Sequence, residues 1–383
     1  MWCWRQPLNS YFAAVTLTLL VLSSSLISLA SGYVPFPAPA TVAQQLPGLL
    51  AQPGAYASPV AGLPELRAAL VQRFPAVSPE QVVITPGAKA ALFSLFCTTL
   101  QPGDEVLLLT PSWFGFDELV RLAGGTLRTL ALSAEDGYAL DPAALAATLT
   151  PRTRVVLFSN PNNPTGRIYS APELATLLAV LAARPDVLVV SDEIYERVSF
   201  GQPVPSLLGF PDPAQRHVVI HGFSKSLALV GWGIGYLVAP LAIAQACAQW
   251  QGKTAAAPAV PSQLAALVAT QAADTIGAEL LRLLTPRREQ LQQGLTRLGL
   301  PYVPTAGTYY VFADFRAYLR PGLALTEASG VLVEQLRAGG VEVVDGATCH
   351  APGYARLSFA ASEAELTEAL ARIGTVLEQI RQS

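Results

Sequence analysis

Short apolar runs alternate with longer segments of helical periodicity along most of the chain. QVVI (81–84), EVLLL (105–109), RVVLF (154–158), VLVV (187–190), HVVI (217–220) and GYLV (235–238) are the runs, several rich in β-branched residues. Runs of that length and composition predict buried strands. Between them, residues 63–73, 88–100 and 171–183 have helical spacing and are bounded by Pro, Gly, Ser or Asp, which predicts helices covering a largely parallel sheet. From about residue 262 the texture changes. A helical run over 262–298 is expected to break near Pro286. YYVFADF, VEVV and YARLSFA follow, with helices over 326–338 and 362–381. The predicted organisation is an apolar extension (1–26), an arm (27–55), a large α/β domain (56–260) and a smaller α/β domain (261–383).

Composition narrows the class. The chain has 383 residues, more than one hydrophobic core normally serves. It is 51% hydrophobic and 13% charged, which excludes a disordered or fibrous protein. The net charge is −3 and the basic residues are scattered, the densest group being Pro286-Arg287-Arg288. Nothing here makes a nucleic-acid footprint. Cys3, Cys97, Cys247 and Cys349 lie far apart, so neither a disulfide framework nor a zinc site is suggested, and no metal is expected.

The beginning of the chain is different. Residues 6–64 carry no charge, and YFAAVTLTLLVLSSSLISLA (11–30) has the length of a membrane span. It also reads as a secretory signal, with Arg5 in front and Ser28-Leu29-Ala30 as a cleavage site. Serines dilute it as a span, and an arm docked on the protein body is the alternative. Membrane contact is expected only if 11–30 is an anchor.

Four places carry chemistry. NPNNPTG (160–166) follows a strand and makes a sharp turn that presents Asn163 where α/β sheets bind ligands, although a plain turn would use the same residues. Asp192 ends an apolar strand in VVSDEIYE (189–196), three residues before Tyr195. A carboxylate there needs a cation, unless it caps a helix. Lys225 sits in a Ser-Lys-Ser turn among apolar neighbours, an environment that lowers an amine pKa as a Schiff-base lysine requires; a surface lysine is the plainer reading. Arg356, inside the apolar strand YARLSFA, needs an anion, either a bound carboxylate or an internal partner.

In order and spacing these motifs resemble the fold-type I, pyridoxal-phosphate-dependent aminotransferases of class I/II, over about residues 27–383. LASGYVPFPAP (29–39), AYASPVAGLPELR (55–67), TPGAK (85–89) and TPSWFGF (110–116) fit the same series. The resemblance implies a three-layer large α/β domain with a mostly parallel sheet plus a smaller C-terminal domain, and transfer of an amino group from an L-amino acid to a 2-oxo acid. Lys225 would hold the cofactor and shuttle the proton, Asp192 would pair with its pyridine nitrogen, and Asn163 and Tyr195 would bond its phenolic oxygen. Trp113 would stack on its ring. Gly87, Ala88, Lys89 and Ser224 would bind its phosphate, with Tyr56 reaching across from a second subunit, so a homodimer is implied. Arg356 would take the substrate α-carboxylate, with Gly32, Asn163 and Trp113 beside it.

Two departures qualify that resemblance. Where the family carries a phosphate-binding arginine eight residues after the lysine, this chain has Gly233, and Gly222 replaces a frequent serine. The grip then falls to Lys89, His221, Ser224, Tyr56 and loop amides, and weaker cofactor affinity is expected. The glycines of GWGIGY do not have dinucleotide-loop spacing, and a strand follows them instead of a helix. In VVDGATCH (343–350), Cys349 and His350 are either pocket residues or loop filler. A carbon–sulfur β-lyase and a pseudoenzyme are the rival functions. The aromatic neighbours Tyr33, Trp113, Tyr309 and Tyr310 suit an apolar or aromatic substrate side chain, or simple packing. Since cleavage after Ala30 would trim the arm beside Gly32, a cytoplasmic enzyme is expected, with export or anchoring through 11–30 as the alternative.

Overall fold

A computed structural model describes residues 26–33, 36–52 and 58–382. Its centre is a seven-stranded sheet built from β2 (Val82–Thr85), β3 (Glu105–Thr110), β4 (Thr126–Ala131), β5 (Thr153–Ser159), β6 (Leu188–Asp192), β7 (His217–Gly222) and β8 (Gly235–Val238), in spatial order β2-β8-β7-β6-β5-β3-β4. All neighbours run parallel except β8, which is antiparallel to both β2 and β7. All the strands but the edge strand β4 are buried on both faces because helices cover both, which is why they read as continuous apolar runs. Strand order reverses between β3 and β5, so a crevice opens outside the carboxyl ends of the parallel strands, where such sheets take their ligands.

The expected strands all form. The pattern did not predict β4, TLRTLA, an edge strand that buries only Leu130 and so lacks an apolar run. The expected break at Pro286 does not occur. One helix, Ala273–Arg297, passes through Pro286, and its Leu280, Leu284, Leu291 and Leu295 keep one buried stripe on both sides of it. The chain turns instead at Ala272, where Val260–Gln271 meets that helix at 81°.

A smaller antiparallel sheet follows, formed by β9 (Tyr310–Asp314), β11 (Val344–Asp345) and β12 (Tyr354–Ser358), in order β11-β12-β9. The arm belongs to this part of the molecule. Its β1 (Ile27–Ser28) pairs in parallel with β10 (Val341–Glu342). Leu29 is fully buried, with its N–H on the Glu342 carbonyl (2.8 Å) and its carbonyl accepting the Ser358 N–H (2.7 Å). Residues 27–32 are therefore stitched into the protein body. Among the described residues no single helix is long and apolar enough to cross a membrane.

Candidate active site

The loops after β5, β6 and β7 converge with the arm and β12. Asn160–Gly166 is fixed by its own amides. Asn160 Oδ1 accepts the Tyr169 N–H (2.9 Å), and Asn162 Oδ1 accepts from Thr165 N (3.2 Å) and Oγ1 (2.8 Å). Gly166 has φ +70°, and a Cβ there would stand 2.5 Å from Thr305 Cγ2, so glycine is required. With those two amides engaged, Asn163 turns its Oδ1 to Arg356 Nη1 (3.0 Å).

Arg356 is 4% exposed. Its Nη2 donates to the Ala30 carbonyl (2.9 Å), and its guanidinium lies 4.0 Å from the Tyr310 ring centroid. Nε is buried without a partner, and no carboxylate pairs with the guanidinium among the described residues. A buried arginine with a free donor lacks an anion.

Lys225 occupies a short turn of helix, Phe223–Ser226, and its Nζ donates to the Gly32 carbonyl. The Tyr309 hydroxyl donates to the same carbonyl (2.8 Å), and the Tyr33 ring centroid is 4.4 Å from Nζ. Burial, with Arg356 and Lys89 nearby, lowers the amine to about 8. Asp192 ends β6, 5% exposed and without an ion-pair partner among the described residues; its Oδ1 accepts the Ile194 N–H at 3.2 Å. Burial pushes its carboxyl up to about 7, an environment that calls for a cation. The Tyr195 hydroxyl meets that of Tyr310 at 2.8 Å.

At the other end, Gly87 (φ +92°) leads into the helix Ala88–Thr99, whose N-terminus no side chain caps. Gly235 packs against it so closely that a Cβ would lie 2.6 Å from Ala88 N. Lys89 Nζ is 5.2 Å from the Trp113 ring centroid, and Trp113 rests edge-on against Phe116. Ser224 Oγ donates to the Leu229 carbonyl at 3.2 Å. Gly233 has φ +57°, and among the described residues a Cβ on it would meet nothing within 4 Å. His221 turns to Glu193 and Glu196 rather than towards this end. Tyr56 lies outside the described residues.

Sequence reasoning missed the Ala30 carbonyl on Arg356 and the tyrosine pair Tyr195–Tyr310, because both need the fold to bring distant residues together. Cys349 is fully buried in a cluster with Tyr138 and Phe312. The Cys349 carbonyl accepts the Ser112 N–H (3.2 Å), and His350 Nε2 is 3.0 Å from Asp117.

Among the described residues, an amine of lowered basicity and a buried carboxylate without a cation, beyond the ends of β7 and β6, thus face an arginine of β12 that has no anion, a grouping that suits a ligand carrying charges of both signs. Residues 24–373 match the family described as aminotransferase class I and II, and the chain belongs to that family. It is 36% identical over 367 residues to an aspartate/prephenate aminotransferase of Thermus thermophilus, covering 92% of this chain and 91% of the relative. It is 31% identical to an aspartate aminotransferase of Thermotoga maritima, covering 93% and 92%. A Thermus thermophilus aspartate aminotransferase solved with maleate superposes with a TM-score of 0.86 at 34% identity, covering 97% of each chain. The protein is a pyridoxal-phosphate-dependent aminotransferase with the expected α/β fold; the β-lyase and pseudoenzyme alternatives are not favoured.

Proposed function

We propose that Lys225, Asp192 and Arg356 are the working groups of this aminotransferase, and that Arg356 takes the α-carboxylate of an L-amino acid and of its 2-oxo acid. The observation that carries this reading is the buried Arg356 with its unpartnered Nε, one shared contact from Lys225: both reach the 30–32 stretch of the arm, Arg356 at Ala30 and Lys225 at Gly32. Pyridoxal phosphate fits the vacancies in charge, since a protonated ring nitrogen gives Asp192 its cation and a phosphate gives Lys89 and the uncapped helix start their anion. When bound, it supplies the carbonyl that captures an amino group and a ring that accepts electron density from Cα.

The chain's residues do the rest. Lys225 would hold the cofactor through Nζ and, once released, its amine would take the proton from substrate Cα, a role that its lowered basicity in the free site supports. Asn163 braces Arg356 and, with Tyr195, bonds the cofactor's phenolic oxygen. Trp113 would cover the ring; Gly87, Ala88, Lys89 and Ser224 would hold the phosphate, and Tyr56 would complete that end from a second subunit of a homodimer. Gly32 offers backbone beside the substrate. The curated relatives are named for aspartate and prephenate, so those are the first donor and acceptor classes to test. The same reading makes the enzyme cytoplasmic: Leu29 and Ala30 bind the body, and cleavage after Ala30 would sever the contact to Arg356. A mature N-terminus at Ser31 in an exported fraction would contradict it.

The test is an absorption spectrum of purified protein titrated with pyridoxal phosphate and then with single L-amino acids. A visible band that an amino acid converts to the amine form, and a 2-oxo acid restores, is expected. A band insensitive to every amino acid would overturn the assignment.

A further inference from the structure

A second cluster lies behind the site. His221 is one residue beyond Ile220, the strand partner of Asp192, so it faces away from Asp192's side of the sheet. There its Nε2 stands 3.5 Å from Glu196 Oε2 and 3.9 Å from Glu193 Oε2. The side chains of His221 and Glu193 are 5% and 1% exposed. His221 Nε2 and Glu193 Oε2 are both buried with no hydrogen-bond partner. Their orientation is fixed by other contacts. Glu193 Oε1 accepts the Leu207 N–H (2.9 Å), and the His221 ring stacks on Tyr236 with centroids 5.0 Å apart. Arg73 pairs with Glu196, and Arg197 reaches Glu196 at 3.5 Å while also bound to Asp274. Glu193 has no partner of opposite charge among the described residues other than His221. A cavity of about 190 Å³, lined in part by Arg73, Glu196, His221 and Tyr236, opens beside the cluster.

The spacing discriminates between occupants. His221 Nε2 is at the limit of a hydrogen bond to Glu196, at 3.5 Å, and too far for one to Glu193, at 3.9 Å. Two metal–ligand bonds of about 2.1 Å at a tetrahedral angle separate their ligand atoms by roughly 3.4 Å. One imidazole and two carboxylates suit zinc among the common divalent ions, and a fourth position filled from the cavity would complete it.

We propose that Glu193, Glu196 and His221 form a binding site for one divalent transition-metal ion of the zinc type, on the face of the sheet opposite the Asp192 side chain, tying together the chain just beyond the ends of β6 and β7. The cysteine spacing gave no sign of it, because its ligands are one histidine near the end of β7 and two glutamates in the turn after β6. Arg73 is its internal competitor for Glu196.

The experiment uses cofactor-loaded enzyme, treated with a chelator and dialysed, then titrated calorimetrically with Zn²⁺ alone and spectroscopically with Co²⁺. One equivalent is expected, with a Co²⁺ visible band of tetrahedral intensity. Glu193→Gln and His221→Asn should each weaken binding at least about tenfold. Arg73→Ala should tighten it or leave it unchanged, and His217→Asn, on the same strand but beside Asp212, should not alter it. Melting curves and the cofactor band report that each variant is folded; if Glu193→Gln fails to fold, His221→Asn carries the test. No saturable binding, binding that survives His221→Asn, or equal loss in His217→Asn would each overturn the proposal.

Discussion

The two ends of the proposed cofactor site are built to different standards. At the ring and substrate end, buried groups hold one another in place: Asn163 on Arg356, Tyr195 on Tyr310, and Gly32 between Lys225 and Tyr309. At the proposed phosphate end, the helix start has no side-chain cap, Lys89 meets only the Trp113 ring among the described residues, and Gly233 stands where the family carries an arginine, while His221 has turned to the glutamates behind the sheet. The groups proposed for the chemistry, Asp192 apart, are held by neighbouring side chains or backbone, while the groups proposed to anchor are few. On the proposed reading, anchoring energy can be lost without losing the reaction, because the covalent link and the Asp192 pair would lie at the other end.

Substitutions sharpen this contrast. Lys225→Ala has the largest expected effect, a fall in transamination of at least roughly 10²- to 10⁴-fold from lost proton transfer alone, read in single turnovers with an amino-acid donor. Arg356→Ala comes next, costing about 2–5 kcal/mol in kcat/KM through loss of the carboxylate partner. Arg356→Lys should recover only part of that, since a lysine lacks the planar fork.

Asp192→Asn should cut activity strongly yet stabilise the cofactor-free protein in alkaline solution. The folded carboxyl titrates at about 7, above its ordinary 3.8. Its ionised form is therefore the one that folding disfavours. The cost is absent below pH 4, grows as pH rises towards 7 and is complete above it. Urea melts of both apoproteins at pH 4 and pH 8 check this; equal stability differences at the two values would count against it.

The smallest effects belong to the phosphate end. Lys89→Ala should raise the dissociation constant of pyridoxal phosphate about tenfold, in keeping with one charge-assisted contact. Gly233→Arg should lower it by a similar or smaller factor, because the left-handed backbone there costs a side chain about 1 kcal/mol. If Gly233→Arg changed nothing, the comparison between the two ends would fail.

The sequence made much of this legible for a physical reason. Strands buried on both faces leave unbroken apolar runs, so β5 and β7 show plainly, and polar residues at their ends stand out as chemistry. What escaped was whatever depends on tertiary pairing. The exposed edge strand β4 has no apolar signature, and the turn at Ala272 carries neither glycine nor proline, whereas Pro286 sits inside a helix held by its leucine stripe. His221 looked like a phosphate ligand by its nearness to Lys225. Strand alternation sends it to the other face.

The central claim is that Lys225 carries the cofactor. Borohydride reduction of the pyridoxal-phosphate-loaded enzyme, followed by proteolysis and mass spectrometry, should place a stable adduct on the peptide containing Lys225 and none on that containing Lys89. An adduct on Lys89, or no adduct at saturating cofactor, would contradict the account.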